Sequence, residues 1–579
     1  MRMARRAADV AGPSTEWWKE AVVYEIYPHS FQDSDGDGVG DLRGITSRIG
    51  YLRSLGVDVV WLTPIYPSPG VDNGYDISDY RSINPRYGTF ADWEALRDAL
   101  HAAGIRLIMD LVVNHTSELH PWFMEARSAR DNPYRDYYIW RPPRNGGPPN
   151  NWASAFGGSA WQFDERTGEY YLHIFSPSQP DLNWENPAVR AEVYSIMEWW
   201  LERGVDGFRM DVINMISKVP GFPDAPVTGP GELQWGGEHF LNGPRLLEYL
   251  REMQERVLSR YDVMTVGEAP GVTTEHALDI AHVEGGPLNM LLHFEHVDLG
   301  SGERGKWSRS PWMLRQLKHV VTRWQNELHG QGWNCFYLSN HDQPRAVSRF
   351  GDDTAWRLAS AKLLGTFLLS LQCTPYIYQG EEIGMANVRF PHIDEYRDIE
   401  TINFYEEAIH HAGYSHAEAM AAIHEVSRDN ARTPMQWSPG LHAGFTHGAP
   451  WIGVNPDHVR FNVLQEEADP GSVLHYYRRL IRLRRANPVL IHGRYELIAE
   501  SHDQVFAYLR HLSDTAALVL LNFSDQDAAL SLPSSLDAMW LLAVSNYDDA
   551  TEQAPERMLL RPWEARIYIA DQAVNAQQV

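Results

Sequence analysis

Cysteine is almost absent: 579 residues carry Cys335 and Cys373 alone, which excludes the disulfide framework of a small secreted scaffold. Long apolar runs are missing as well. Stretches such as Leu107 to Val113, broken by Asp110, and Ala516 to Leu521 are strand-sized, short of the about 18 apolar residues that mark a membrane span. Positive charge is scarce, with 50 Lys and Arg against 76 Asp and Glu and a net charge of −26. That balance argues against a nucleic-acid partner, whose phosphates demand clustered cations. Arg2, Arg5 and Arg6 open the chain, but Ala-Asp-Val-Ala-Gly-Pro follows where a signal peptide needs an apolar segment. A cytoplasmic location without membrane contact is therefore expected.

Aromatics are plentiful instead, 21 Trp and 27 Tyr. Their faces suit stacking on sugar C–H surfaces, although core packing accounts for most single instances. The length calls for two or three domains. Eight strand-like runs recur: Val22–Ser30, Val57–Ile65, Ile105–Asn114, Val205–Val212, Val263–Glu268, Leu288–Glu295, Asn334–Asn340 and Pro375–Gln379. Helical patterns such as Phe90–Ala103, Ala188–Arg203 and Trp356–Leu371 separate most of them. This alternation predicts an α/β fold, a (β/α)₈ TIM barrel with its helices outside.

Three further segments are set apart. Residues 116–180 form an inserted small domain after the third strand, between barrel parts 17–115 and 181–490. Residues 385–460, polar and His-rich, read as a loop-rich subdomain. From residue 491 to 579 short β runs such as Gln504–Arg510, Ala517–Asn522 and Ala565–Ile569 predict a C-terminal antiparallel β-sandwich.

Three carboxylates stand at or just beyond the ends of predicted strands: Asp211, Glu268 and Asp342. In a closed parallel barrel such positions converge on one mouth. Paired carboxylates flanking a glycosidic bond are what retaining hydrolysis needs. A separate acidic loop, Asp33-Ser-Asp35-Gly-Asp37-Gly38-Val39-Gly-Asp41, sets carboxylates at relative positions 1, 3, 5 and 9, with the Val39 carbonyl at 7. That is the spacing of a Ca²⁺ loop, except that Gly44 stands where a bidentate Glu would complete an EF-hand. The expectation is a structural Ca²⁺ or Mg²⁺ and no organic cofactor.

The ordered segments Asp110 to His115, Gln179-Pro-Asp181-Leu-Asn183, Gly207 to Asn214, Gly267-Glu268, Ser339 to Asp342 and Ser427 to Trp437 resemble the α-amylase family of glycoside hydrolases. The likeness is to its oligo-1,6-glucosidase and α-glucosidase group, from about Trp17 to the C-terminus. It implies that Asp211 is the nucleophile, Glu268 the acid and base, and Asp342 the third acid that grips and distorts the sugar. Arg209 would keep Asp211 charged, and His115, His341 and Asp76 would bind hydroxyls of the same ring. Arg428, paired with Asp76, would close the far end of the pocket, with Gln179 in its wall. Relatives in this group carry a metal in the acidic loop.

Val212 follows the nucleophile, where in this group a Val accompanies α-1,6 preference and small residues accompany α-1,4. The scaffold also hosts sucrose isomerases, marked by an Arg/Asp-rich loop near the sixth strand. The stretch Asp298 to Trp307 here has one Arg before Lys306, which favours hydrolysis. Non-catalytic transporter partners of this family lose the acids and gain an N-terminal anchor; all three acids are kept here. The expected partner is a short oligosaccharide, and a monomer and a homodimer are equally compatible with the sequence.

Overall fold

The computed structural model describes residues 16–229, 231–302, 305–532, 539–550, 554 and 556–571. Eight strands make one parallel sheet: β1 (Val23–Ile26), β2 (Val59–Leu62), β3 (Arg106–Val112), β7 (Gly207–Asp211), β8 (Met264–Ala269), β9 (Met290–His293), β10 (Cys335–Tyr337) and β11 (Thr374–Tyr378). Between β3 and β7 lie three strands of the insertion, β4 (Trp140–Arg141), β5 (Trp161–Asp164) and β6 (Glu169–Leu172). The parallel order is β10-β11-β1-β2-β3-β7-β8-β9. Its two edges meet across a seam, where Cys335 Sγ donates to Leu291 O (2.8 Å) and Tyr337 OH to His293 O (3.1 Å). Cys335 is thus a buried seam residue. All eight strands fall where the apolar runs predict them; six are trimmed at both ends, while β8 runs one residue past Glu268 and β11 starts one residue before Pro375. The first stops at Ile26 because Pro28, which has no N–H to give a ladder, opens a 3₁₀ turn.

The strands are apolar along nearly their whole length because helices cover the sheet. Helix Phe90–Ala102 starts at a Thr89/Asp92 capping box, and helix Pro187–Leu201 at Asn186 with Pro at its first position. No helix among the described residues is long and apolar enough to cross a membrane.

The insertion folds as an antiparallel sheet ordered β4-β6-β5. Buried Lys218 clamps the two chain ends that flank the insertion: Nζ lies 2.7 Å from Asp181 Oδ2 and donates to Asn114 Oδ1 at 2.9 Å. An apolar cluster of Trp152, Trp161, Phe240 and Val212 joins the insertion to the barrel. The segment 385–460 departs from its loop-like reading, because it holds helices Ile399–His410 and His416–Val426. The second buries Ala419, Met420, Ile423 and Val426 on one face behind a Ser415/Glu418 capping box. That periodicity is masked in the sequence by the surrounding His and Glu residues.

C-terminal strands β12 (Arg494–Ile498), β13 (Val505–Leu512), β14 (Thr515–Asn522), β15 (Ala528–Ser531), β16 (Leu541–Ser545), β17 (Arg557–Leu560) and β18 (Ala565–Asp571) form two antiparallel sheets. Their orders are β12-β13-β14-β18-β16 and β15-β17, around a separate core that includes Val505, Leu518, Leu530 and Leu560.

Candidate active site

The chemistry collects at the carboxyl ends of the barrel strands. Asp211 is the last residue of β7, Glu268 lies near the end of β8, and Asp342 follows just beyond β10. Arg209, fully buried one pleat below Asp211 on the same strand, holds the first two together. Its Nη1 donates to Asp211 Oδ1 (2.7 Å) and Asp110 Oδ1 (2.8 Å), and Nη2 lies 2.6 Å from Glu268 Oε1. Asp110 also accepts from Tyr75 OH (2.9 Å) and Trp61 Nε1 (3.2 Å).

One cation therefore serves three carboxylates, and burial pushes all of them up: Asp211 to about 7, Glu268 to about 7 and Asp110 to about 6, with Arg209 opposing. Asp110 adds to the rise at Asp211, and Asp211 to the rise at Glu268. Raised together around one cation, these acids share protons closer to neutrality than ordinary carboxylates do, which suits the division of labour acid and nucleophile need.

The backbone is strained at this point. Val212 has φ 34° and ψ 42°, a left-handed conformation that costs a β-branched residue about 1–3 kcal/mol. The bend aims the Val212 N–H at Glu268 Oε2 (3.1 Å) and turns the side chain into the cluster with Met215 and Phe240.

The opposite wall is richer in cations. Arg428 Nη2 reaches Asp72 Oδ1 (2.9 Å) and Asp398 Oδ1 (2.5 Å), and Nη1 lies 3.4 Å from Asp342 Oδ1. Arg432 Nη2 lies 2.6 Å from Asp342 Oδ1. Burial works upward on Asp342 and Asp398, yet Arg428 and Arg432, with His341 beside Asp342, hold both well below the usual carboxylate range. Asp72, at the edge of this group, is left at about 6 by burial against the two arginines.

Here the structure corrects one expectation. Asp76 does not pair with Arg428; its carboxylate accepts from Ser68 Oγ (2.7 Å), Val71 N (2.9 Å) and Asp72 N (3.2 Å), shaping the loop that carries Asp72. Asp72 is the Arg428 partner, and Gln179 Nε2 donates to its other oxygen at 3.0 Å. The signal was present in the sequence as a second Asp opening Asp72-Asn73-Gly74-Tyr75-Asp76. Asn73 and Gly74 both adopt positive φ, which reverses the chain and puts Asp72, not Asp76, on the pocket side. Asp398 and Arg432 were also unassigned by motif.

His115 is buried beside Gln179, its Nε2 3.2 Å from Gln179 Nε2 and 3.1 Å from Tyr75 O. Burial brings it down to about 4, so it is neutral. His341 stacks on Tyr75, with centroids 5.1 Å apart and planes at 4°. Arg209, Asp211 and Glu268 thus form one cluster and Asp342, His341 and Arg428 a second, bridged by Tyr75, which donates to Asp110 and stacks on His341; His115 and Gln179 join the second through Asp72.

The acidic loop stands apart, docked on the segment after β11. Carboxylate oxygens of Asp33, Asp35 and Asp37 lie within 4.8 Å of one another, a donor set suited to a hard cation. Burial, with the like charges of Asp35, Asp33 and Asp41, raises Asp37, a penalty that a bound cation would remove. Asp41 is turned elsewhere: it accepts from Ser34 N and Oγ (2.6 and 2.8 Å) and caps the next helix at Gly44 N (2.7 Å). Val39 donates its N–H to Asp37 Oδ1 at 2.8 Å. Gly38, at φ 92°, permits the docking, since a Cβ there would meet Ala449 O at 1.9 Å.

Residues 25–493 match the family model of the α-amylase catalytic domain, and residues 495–567 that of the maltogenic amylase C-terminal domain. The chain belongs to the α-amylase family. An oligo-1,6-glucosidase of Parageobacillus thermoglucosidasius is 56% identical over 553 residues, covering 95% of this chain and 98% of that protein. The crystal structure of Bacillus licheniformis trehalose-6-phosphate hydrolase superposes with a TM-score of 0.90 at 46% identity, over 96% of this chain and 100% of that one. An isomaltulose synthase from Klebsiella sp. LX3 gives 0.91 at 43%, over 96% and 99%. This α-amylase family chain is a glycoside hydrolase with the barrel and C-terminal β domain expected of it.

Proposed function

We propose that the protein is an exo-acting, retaining α-glucosidase that releases terminal α-1,6-linked glucose from short oligosaccharides, α-1,4 linkages being secondary substrates. The observation that carries this is the single guanidinium of Arg209 touching Asp211 and Glu268 together, opposite a wall closed by Arg428, Asp72 and Asp342. Asp211 would attack the anomeric carbon while Glu268 gives its proton to the leaving oxygen. Glu268 would then take a proton from water, whose oxygen displaces Asp211 from the opposite face and restores the α-configuration. Asp342, held ionised, would grip ring hydroxyls as charge develops on the sugar. The Arg428 bridge to Asp72 and Asp342 would close the pocket beyond a single terminal ring, hence exo action. The 56% identity to an oligo-1,6-glucosidase and Val212 beside the nucleophile favour the α-1,6 linkage.

The test is product analysis by NMR on isomaltose, maltose and sucrose. Glucose appearing first as the α-anomer, fastest from isomaltose, supports the proposal; β-glucose first would overturn it. A second reading, sucrose isomerisation, is favoured by the likeness to isomaltulose synthase and would appear as isomaltulose or trehalulose from sucrose. Glu303 and Arg304, in the stretch that separates the two readings by sequence, lie outside the described residues.

Asp33, Asp35 and Asp37, with the Val39 carbonyl, would hold a Ca²⁺ or Mg²⁺ whose chemistry is structural. It would fasten the loop after β1 to the segment around Ala449. EDTA is then expected to lower the melting temperature by several degrees and leave kcat of the folded enzyme unchanged. A chelator-insensitive melt would remove the metal from the account.

A further inference from the structure

Glu25, on β1, has no part in the acid–base pair, yet it is 1% exposed at the floor of the pocket. Its Oε1 lies 2.6 Å from His341 Nδ1 and accepts from the His341 backbone N at 3.3 Å. The other ring nitrogen, Nε2, has no hydrogen-bond partner and faces Asp342 Oδ2 at 3.4 Å. Two proton arrangements of a neutral imidazole are possible. If Nδ1 carried the proton, a lone pair on Nε2 would oppose the ionised Asp342 carboxylate. If Nε2 carries it, Nδ1 must accept, and only a protonated Glu25 can donate to it.

We propose that Glu25 is a positioning residue whose neutral carboxyl donates to His341 Nδ1, fixing the Nε2–H as a donor toward Asp342 and the sugar hydroxyl that Asp342 grips. The surroundings support a neutral Glu25. Asp110 and Asp342 both raise it; Arg209 and the His341 backbone N–H lower it, but Arg209 already serves three other carboxylates. Burial, the largest effect, pushes Glu25 well above the usual carboxylate range. On the partner side burial brings His341 down to about 3, with Arg209, Arg432 and Arg428 acting the same way against Asp342. The alternative, an imidazolium paired with a carboxylate, would place two buried charges where the structure supplies one shared proton.

The inference rests on the proposed glucosidase reaction. The experiment separates the two, because wild-type turnover of isomaltose tests the reaction and variant-to-wild-type ratios test Glu25. Purified wild type, Glu25→Gln and Glu25→Met are compared for kcat/KM on isomaltose, for inhibition by glucose, and for melting. Glutamine presents an N–H where the carboxyl presents an O–H, so Glu25→Gln is expected to keep at least a third of kcat/KM. Glu25→Met is expected to lose at least tenfold in kcat/KM and to bind glucose correspondingly more weakly, while still melting cooperatively. Loss in Glu25→Gln as deep as in Glu25→Met would overturn the proposal in favour of an ionised Glu25. Full activity in Glu25→Met would overturn it outright, and if that variant does not fold the glutamine variant decides alone.

Discussion

Two charge clusters of the same residue types sit across one pocket, and the acids at their centres shift in opposite directions. Around Arg209, one guanidinium meets Asp110, Asp211 and Glu268, and all three acids are pushed up to between about 6 and about 7. Around Arg428 and Arg432, two guanidiniums meet Asp72, Asp342 and Asp398, and the latter two are held well below the ordinary range. Burial is the largest single influence in both places, so it does not distinguish them. The ratio of cations to carboxylates does. In the proposed reaction the cation-poor side would keep a proton available for transfer, whereas the cation-rich side would keep fixed negative charge where the sugar develops positive charge.

The largest effect expected is at the cation-poor side. Asp211→Ala should lower kcat by at least about 10⁴-fold while the protein melts normally; substantial residual turnover would sink the nucleophile assignment. Next comes the cation-rich side. Lysine in an Arg428→Lys variant cannot reach Asp72, Asp342 and Asp398 at once, so KM should rise by about ten- to a hundredfold with a smaller change in kcat. An unchanged KM would detach Arg428 from substrate binding.

The pH profile sharpens the contrast. With Asp211 and Glu268 both at about 7, kcat/KM should be bell-shaped and centred near neutrality. It falls in acid as the pair takes up a second proton and in base as it loses the last. Asp342, held low, stays ionised across that range and does not set the acid limb. Asp110→Asn removes a charge that raises Asp211, and the acid limb should move to lower pH. A limb that stays in place would contradict the cation-ratio argument. The smallest effect belongs to Val212: Val212→Thr should raise the maltose-to-isomaltose ratio of kcat/KM by no more than about tenfold, and an unchanged ratio removes that side chain from linkage choice.

The barrel was legible in the sequence because strands buried on both faces write continuous apolar runs, and Asp211 and Glu268 were legible because they end those runs. What escaped notice depended on chain reversal and long-range pairing. Asp72 and Asp76 lie in one segment, and only the turn through Asn73 and Gly74 determines which of them faces Arg428. Asp398 and Arg432 meet across 34 residues in a region whose polar composition hides two helices. Glu25 reads as an odd polar residue in an apolar strand, and its partner is 316 positions away.

The most direct test of the nucleophile assignment is to trap the intermediate. Incubation with 5-fluoro-α-D-glucosyl fluoride, followed by peptide mass spectrometry, should find a fluoroglucosyl adduct on Asp211, with the adduct absent in Asp211→Ala. An adduct on Glu268, Asp342 or Asp110 instead would contradict the account.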